Sequence, residues 1–295
     1  MIRTITHTGP RPFVKWAGGK TQLLNILDEM MPIEYKNGKP FNYIEPFVGS
    51  GAMLFHILRN YNVNDVYIND NNYKLMMTYK VLKDNPDALI GVLTELKNGF
   101  MNTKDKNRYF LVCRDQFNND SIDDLDLAAL FIFLNKTCFN GLYRENKKGD
   151  FNVPFGKYEN PYVFDPDSLL ADSELLQDVV LINGDYEDTM QFVDDNTFIY
   201  FDPPYKPLNL HRHTFNGYTR DKFDDYAQKR LKGCVDDCTK IGAKVMLSNS
   251  DPDCDFFDEL YKGYRIDRVS AKRHINSRGD GRGAVSEIVV RNYDY

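Results

Sequence analysis

Apolar residues follow two spacing patterns along this chain. Short apolar runs bounded by turn residues predict strands. These runs lie at 42–47, 65–70, 179–183, 197–201, 244–248 and 286–290. Apolar residues at helical spacing, such as Met53, Leu54 and Ile57, predict helices. The helical stretches cover 52–60, 72–83, 86–98, 105–117 and 125–135.

The order of these elements predicts the fold class. Strand, turn, helix and strand over 42–70 form a βαβ unit, which is typical of a parallel, doubly wound sheet. Helices then dominate as far as a Gly/Asn/Lys-rich segment at 140–160, whose residues 146–150 suit a hairpin tip or a mobile loop. We therefore predict an α/β catalytic domain built from 1–71 and 167–295, with a mainly helical domain inserted at 72–166.

Charge and cysteine content narrow the classes of protein. The net charge is −6, which argues against a protein that simply coats nucleic acid. Two segments are nevertheless basic: eight Lys/Arg against three acids over 262–291, and five against two over 136–157. They fit either a phosphate-facing side or ordinary solvated faces. Five cysteines without a Cys-x-x-Cys pair predict no metal site, and we expect Cys234 and Cys238 to be a reduced, buried pair.

We expect a cytoplasmic protein with no membrane partner. No apolar run approaches the roughly 18 residues of a membrane span. The start of the chain also lacks the apolar region of a signal peptide.

The tetrapeptide Asp202-Pro203-Pro204-Tyr205 is the strongest sign of chemistry. It follows the predicted strand at 197–201, and open α/β sheets bind ligands at such carboxyl ends. Because proline has no N–H, Pro203-Pro204 leaves carbonyl oxygens without local donors. Asp202 and the Pro203 carbonyl could accept two hydrogen bonds from one amino group, and Tyr205 offers a face for ring stacking. The tetrapeptide indicates either a pocket for the exocyclic amine of a planar base or a surface turn.

A second candidate site follows the first strand. Gly49-Ser50-Gly51 lets a ligand approach the backbone, and Asp70 ends the next strand, where an acid accepts ribose hydroxyls in nucleotide folds. Leu54 replaces the third glycine of the dinucleotide fingerprint, which favours a single nucleoside over NAD or FAD. S-adenosylmethionine (AdoMet) fits this pattern. Residues 16–21 are not an ATP-binding P-loop, because Val14 stands where its first glycine would be.

Together these segments resemble the Dam-type DNA adenine-N6 methyltransferase family, including its restriction-associated members. The matching stretches, in the family's order, are Phe13–Lys20, Glu45–Gly51, Asp70, Asn140–Arg144, Phe151–Gly156, Asp202–Tyr205 and Arg273–Ser277. The resemblance covers nearly the whole chain and is specific through the joint order of weak motifs. It implies a Rossmann-like AdoMet-dependent methyltransferase sheet with an inserted target-recognition domain, AdoMet as methyl donor and double-stranded DNA as partner.

The resemblance also assigns site residues. AdoMet contacts fall on Trp16, Lys20, Asp70 and Asp202, and the same pocket is lined by Phe47, Gly49 and Asp185. The catalytic set is the tetrapeptide itself: Asp202, Pro203, Pro204 and Tyr205.

DNA contacts are expected mainly in the insertion. Arg144 corresponds to the arginine that reads a guanine of GATC, and a guanidinium suits guanine O6 and N7. Lys15 contacts the same sequence, and Phe139 wedges into the duplex. Lys157 stands where the best-known members carry arginine, so its contact becomes a point charge suited to phosphate. The remaining expected contacts are Asn140, Leu142 and Pro154.

The resulting hypothesis is methyl transfer to N6 of a flipped adenine, without a metal or a covalent enzyme intermediate. Cys138 is accordingly expected not to be a nucleophile. Methylation of RNA adenine or of cytosine N4, a DNA-binding module without catalysis and a nicotinamide oxidoreductase are the alternatives. The restriction-associated relatives add a cognate endonuclease as a partner that acts on the same site without direct contact.

Overall fold

The computed structural model describes residues 11–206, 223–252, 254–272 and 284–295, so the family-like stretch 273–277 lies outside the described residues. The described chain forms one sheet with the strand order β3-β2-β1-β4-β5-β7-β6. Its strands are β1 (Phe41–Glu45), β2 (Val63–Asp70), β3 (Val179–Asn183), β4 (Thr197–Phe201), β5 (Lys244–Ser250), β6 (Arg265–Lys272) and β7 (Ala284–Arg291).

Helices occupy most of the chain between the strands. They are α1 (Leu24–Glu29), α2 (Ile33–Lys36), α3 (Ala52–Asn60), α4 (Tyr73–Asp84), α5 (Pro86–Asn102), α6 (Lys106–Phe117), α7 (Asp124–Thr137), α8 (Pro166–Leu176), α9 (Asp225–Ile241) and α10 (Phe256–Leu260). Short 3-10 segments lie at Lys20–Gln22, Phe139–Gly141 and Tyr186–Phe192.

The sheet has its topological switch point between β1 and β4. Parallel pairing runs from β1 through β2 to β3 on one side and from β1 through β4 to β5 on the other, and β7 lies antiparallel between β5 and β6. Connections therefore leave the carboxyl ends of β1 and β4 in opposite directions, which opens a crevice between them. Pro46 and Asp202 directly follow these two strand ends. The predicted α/β fold class is confirmed.

The predicted strands are confirmed within a few residues, whereas β6 was not predicted. Its sequence alternates charged residues such as Arg265 and Asp267 with apolar residues, as an edge strand with one wet face does. The basic residues around it form ion pairs within the fold: Arg268 Nη2 lies 2.6 Å from Asp258 Oδ2, and Arg291 pairs with Asp267. Two basic residues of this segment, Arg268 and Arg291, are therefore neutralised within the described fold.

The helices predicted between β2 and β3 are confirmed as α4 to α7. Asn72, Asp105 and Asp123 cap α4, α6 and α7, because each side chain accepts a backbone N–H from three residues further on. Along α7, the residues from Leu127 to Asn135 are all at most 6% exposed. A helix that is buried on every side is the centre of its bundle. One apolar core joins these helices to the sheet, and the division into two domains stays a prediction.

The cysteines of the described chain are unpaired thiols. Cys234 and Cys238 are buried on one face of α9, as predicted. Cys138 is fully buried, and burial raises the pKa of its thiol to about 12, which does not suit a nucleophile. No helix in the described ranges is long and apolar enough to cross a membrane. Within those ranges, no cluster of three His, Cys, Asp or Glu side chains has metal-binding geometry.

Buried Asp172 on α8 gives a prediction about stability. Burial raises the pKa of its carboxyl to about 8, and the Arg11 N–H and the charges of Arg59 and Lys136 offset this only partly. Because this pKa is raised above the unfolded value, the folded state holds the proton that the unfolded chain releases between about pH 4 and pH 8. The contribution of Asp172 to the free energy of unfolding is therefore fully present below pH 4 and is lost as the pH rises towards 8.

We expect Asp172→Asn, which is isosteric and does not titrate, to raise Tm relative to the parent by an amount that grows from pH 4 to pH 8. The gain in unfolding free energy at pH 8 should be a few kcal/mol, on the order of the linkage energy. Thermal unfolding at both pH values measures it, with Asp167→Asn on the same helix as control. An equal effect at both pH values would contradict the assigned titration.

Candidate active site and nucleic-acid interface

A buried ion pair lies at the switch point. The glycine turn Gly18-Gly19, with Gly18 at φ +80°, leads into the 3-10 segment that carries Lys20. Lys20 Nζ lies 2.7 Å from Asp202 Oδ1 and also donates to the Gly18 carbonyl at 2.5 Å. The lysine is only 3% exposed. The N-terminal segment thus brings a positive charge to the carboxyl end of β4.

This pair sets the charge state of the site. Burial raises the pKa of Asp202 to about 6, although the charge and the hydrogen bond of Lys20 lower it. Asp202 is therefore mostly ionised at neutral pH. Glu45, at the end of β1, is fully buried, and burial raises the pKa of its carboxyl well above the ordinary range, which favours its neutral form. The Tyr43 hydroxyl donates to Glu45 Oε2 at 2.8 Å.

The loop after Asp202 is also held by a contact with β7. The Tyr205 hydroxyl donates to Glu287 Oε2 on β7 at 2.6 Å. Lys20 Nζ lies over the Tyr205 ring, 4.7 Å from its centroid, which is a cation–π distance. Glu287 was not predicted as a site residue, because no sequence signal links a carboxylate on the last strand to a tyrosine 82 positions earlier.

Asp70 and Gly49 form the second part of the site. Asp70 Oδ2 accepts the Gly49 N–H at 3.1 Å, and its Oδ1 accepts the Asn72 N–H at 2.9 Å. Burial raises the pKa of Asp70 to about 6. Gly49 has φ +49°, and a Cβ there would lie 2.8 Å from Trp16 Cδ1. The glycine is therefore required both by its backbone conformation and by the indole packed against it.

Asn69 ties three strand ends together beside these residues. Its Nδ2 donates to the Pro46 carbonyl at 3.0 Å and to the Gly184 carbonyl at 3.2 Å. Asp185, which follows Gly184, is exposed, and its two carboxylate oxygens accept hydrogen bonds from Arg230 at 2.8 and 2.9 Å. Neither Asn69 nor Arg230 was predicted as a site residue, since each lies outside the recognised motifs.

The chemistry of this region suits a nucleoside. Asp70 supplies a carboxylate at the end of β2, and Gly49, against which the Trp16 indole packs, lies beside it. Half-buried Phe47 lies 5.1 Å from the Tyr186 ring, between centroids, and adds an aromatic wall. The sheet order, with the predicted cofactor residues at the ends of β1 and β2, is that of a Rossmann-like AdoMet-dependent methyltransferase fold.

The predicted DNA-binding residue Lys15 is joined to the insertion by buried Asn135. Asn135 Oδ1 accepts the Lys15 N–H at 2.7 Å, and its Nδ2 donates to the carbonyls of Lys15 at 2.8 Å and Gly141 at 3.3 Å. The Lys15 side chain packs on Gly141, where a Cβ would lie 2.4 Å from Lys15 Cδ. Lys15 Nζ lies 5.5 Å from the centre of the Tyr158 ring.

Arg144 lies at the base of the predicted hairpin. Bridges between Glu145 and Phe151 confirm the hairpin, and Asn146 accepts the backbone N–H of Asp150 at its tip. The Arg144 guanidinium donates through Nε to Asn152 Oδ1 at 2.5 Å and through Nη2 to the Asn152 carbonyl at 3.1 Å. Asn152 therefore fixes the direction of this side chain.

The remaining predicted DNA contacts are Phe139, Asn140, Leu142, Pro154 and Lys157. Phe139 is 40% exposed, and its N–H donates to the Pro154 carbonyl at 2.8 Å, which holds the two segments together. Asn140 and Lys157 both have left-handed backbone, with φ +56° and +57°. Pro154 and Lys157 are exposed, whereas Leu142 is half-buried.

Trp16 links the two groups of predicted residues. Its indole packs against Gly49 on one side and stacks on Tyr143 in the insertion, with centroids 5.6 Å apart. The structure thus brings Lys20, Asp202 and Tyr205 into direct contact. It also joins Asp70, Gly49 and Trp16 in a second contact group. Asp185 is instead paired with Arg230.

Comparison with known proteins identifies the family. The model of the D12 class N6 adenine-specific DNA methyltransferases matches residues 16–275. The chain belongs to this family, and it is an adenine-specific DNA methyltransferase. The resemblance and the class of enzyme predicted from the sequence are confirmed.

Several relatives match over nearly their whole length. The type II methyltransferase M.MjaIII of Methanocaldococcus jannaschii is 47% identical over 96% of this chain and 99% of its own. The type II methyltransferase M1.LlaDCHI of Lactococcus lactis subsp. cremoris is 36% identical over 96% and 95%. The DNA adenine methylase of Escherichia coli K12 is 32% identical over 95% and 94%.

The Lys20–Asp202 pair predicts a shift in the pH profile. We expect Lys20→Met to raise the pKa of Asp202 by about one unit or more, because the nearby positive charge is lost. Methyl transfer at pH 7 should then fall at least about twofold, because the ionised fraction of Asp202 drops from about nine-tenths to about half, and it should recover as the pH rises towards 9. Single-turnover rates between pH 6 and pH 9 measure this, with Lys20→Arg retaining the charge. A loss that is the same at every pH would refute this electrostatic role.

Proposed function

We propose that the chain transfers a methyl group from AdoMet to N6 of a flipped adenine in duplex DNA, within the sequence GATC. The observation that carries the proposal is the Lys20–Asp202 ion pair at the switch point, at the start of the Pro203-Pro204-Tyr205 loop. It supplies an ionised acceptor next to a carbonyl that prolines leave without a local donor.

The amino group of adenine is a poor nucleophile, because its lone pair is delocalised into the ring. The Asp202 carboxylate and the Pro203 carbonyl accept its two N–H groups and pull the nitrogen towards tetrahedral geometry. Because these acceptors are held in place before the reaction, they stabilise the transition state without reorganising. Tyr205, whose hydroxyl is held by Glu287, provides the face on which the flipped base stacks.

AdoMet, when bound, supplies the electrophilic methyl group. In this proposal the Asp70 carboxylate accepts its ribose hydroxyls, and Gly49 lies in the same pocket with the Trp16 indole packed against it. Trp16, Phe47 and Asp185 line the same pocket. Lys20 and Asp202 lie at the border between the cofactor pocket and the amine pocket, so both can contact cofactor and base.

Recognition of DNA is assigned to the insertion and the N-terminal segment. Arg144, oriented by Asn152, reads a guanine in the major groove, and Lys15 contacts the same sequence. Exposed Phe139 fills the space that the flipped base leaves. Lys157 positions a phosphate. Asn140, Leu142 and Pro154 complete the contact surface.

The decisive experiment compares methyl transfer from labelled AdoMet to two duplexes, one with GATC and one with that site scrambled. We expect label in the GATC duplex alone, recovered as N6-methyladenine. Asp202→Ala should abolish transfer and keep specific binding to the GATC duplex.

Each other outcome removes a defined part of the proposal. Equal labelling of both duplexes would remove the GATC assignment and leave the reaction. Label in a matched RNA duplex, or on cytosine N4, would change the substrate. Full turnover by Asp202→Ala would refute the mechanism.

Arg144 can be tested separately from catalysis. Arg144→Ala should cost on the order of 1–3 kcal/mol of discrimination at one base pair of the site, because a bidentate contact to guanine is lost. Binding to the cognate duplex and to its single-base variants measures this. Lys157→Gln is the matched control and should weaken all duplexes alike, with a smaller salt dependence. Equal losses on every duplex for Arg144→Ala would make it a phosphate contact.

A cognate restriction endonuclease that acts on the same site, and a cytoplasmic location in a bacterial or phage-infected cell, stay predictions. Both extend the proposed function to its biological setting. The catalytic test above does not depend on either of them.

A further inference from the structure

Two buried amides lie behind the Pro203-Pro204-Tyr205 loop. Gln228 Nε2, on α9, donates to the Pro204 carbonyl at 3.2 Å. Asn249 Nδ2, on β5, donates to Gln228 Oε1 at 3.1 Å. Both residues are fully buried. A buried amide chain of this kind is costly to break, because a lost partner leaves a polar group unsatisfied.

The carboxyl end of β5 also holds the backbone that follows Tyr205. Asn249 Oδ1 accepts the Lys206 N–H at 3.3 Å, and Ser250 Oγ donates to the Lys206 carbonyl at 2.7 Å. The peptide groups on both sides of Tyr205 are thus bonded to buried side chains of α9 and β5. The loop is held at its carbonyl and amide groups and at the Tyr205 hydroxyl.

Gln228 forms a hydrogen bond with one of the two carbonyls of the Pro203-Pro204 pair. Neither proline has an N–H, so this part of the loop is fixed mainly by bonds made to its carbonyls. Gln228 occupies the Pro204 carbonyl and thereby fixes the peptide plane that follows Pro204. Since Pro204 is bonded directly to Pro203, this also restricts the direction of the Pro203 carbonyl.

We propose that Gln228, supported by Asn249, is a positioning residue for methyl transfer: it holds the Pro204 peptide so that the Pro203 carbonyl points at the substrate amine. The inference rests on the proposed function, in which the Pro203 carbonyl accepts that amine. Gln228 itself touches neither substrate nor cofactor. Its effect should therefore fall on the rate of the chemical step and not on binding.

Gln228→Glu is the sharpest test. The substitution keeps the shape and the acceptor for Asn249, but an ionised carboxylate cannot donate to the Pro204 carbonyl and repels it. A protonated carboxyl can donate again, and burial favours protonation. A purely structural role would not produce such a pH dependence of the rate.

We expect the single-turnover rate of methyl transfer to fall about 10- to 100-fold at pH 8.5, the size of effect typical of a misplaced catalytic group. AdoMet affinity, measured by calorimetry, and affinity for the cognate duplex should change by less than about twofold. The ratio of variant rate to parent rate should rise towards one as the pH falls to about 6.

Gln177→Glu is the matched control, because Gln177 donates to the Lys83 and Ser173 carbonyls, away from the site, and the charge change is the same. Its rate should equal that of the parent at every pH. Gln228→Met is the second variant: it cannot donate at any pH, so its loss of rate should not recover in acid.

Different failures are separable. If the parent does not methylate adenine, the proposed function fails. If the parent is active and Gln228→Glu keeps the parent rate, or loses rate and AdoMet affinity together, the positioning role is refuted. If near-ultraviolet circular dichroism shows Gln228→Glu unfolded, Gln228→Met decides; loss of the fold in both variants would make Gln228 a residue of the fold and refute its assignment to positioning.

Discussion

The ion pair between Lys20 and Asp202 is the interaction on which the site depends. Burying a charged pair is expensive, and it is retained only where geometry and further hydrogen bonds offset the desolvation. Here the Gly18 carbonyl accepts from Lys20, and the positive charge opposes the rise in the pKa of Asp202 that burial causes. Without it, burial would raise the pKa of Asp202 further, as it raises the pKa of Glu45. The pair therefore favours the ionised form of an acceptor that burial alone would keep protonated.

The segment from Lys15 to Lys20 carries more than this charge. Its backbone is held by Asn135 of the insertion, and the Trp16 indole packs between Gly49 and Tyr143. A displacement of Tyr143 or Asn135 would therefore be passed to this segment through the stacked rings and the buried amide. Packed groups of this kind transmit a displacement instead of absorbing it. This contact gives the proposed DNA recognition a physical route to the catalytic pair.

Most of the fold follows from local patterns, because strands and helices reveal themselves by apolar spacing within a few residues. Among the strands the exception is β6, an edge strand whose charged positions resemble a solvated face. The motifs also located the residues at the ends of β1, β2 and β4. The supporting residues Glu287, Gln228 and Asn249 could not be predicted, since each acts through a partner far along the chain. The resemblance assigned Lys20 to the cofactor, but sequence alone could not show its ion pair with Asp202.

The proposed amine pocket is supported by two kinds of contact, which come from different parts of the chain. Hydrogen bonds with Gln228 on α9, Ser250 on β5 and Glu287 on β7 fix the acceptor loop. The positive charge that pairs with Asp202 comes from Lys20 in the N-terminal segment. Shape and charge can therefore change independently. A change in Lys20 alters how strongly Asp202 accepts, and a change in Gln228 alters where the Pro203 carbonyl points. Because the proposed stabilisation of the amine needs both acceptors at once, either defect alone suffices to lose most of it.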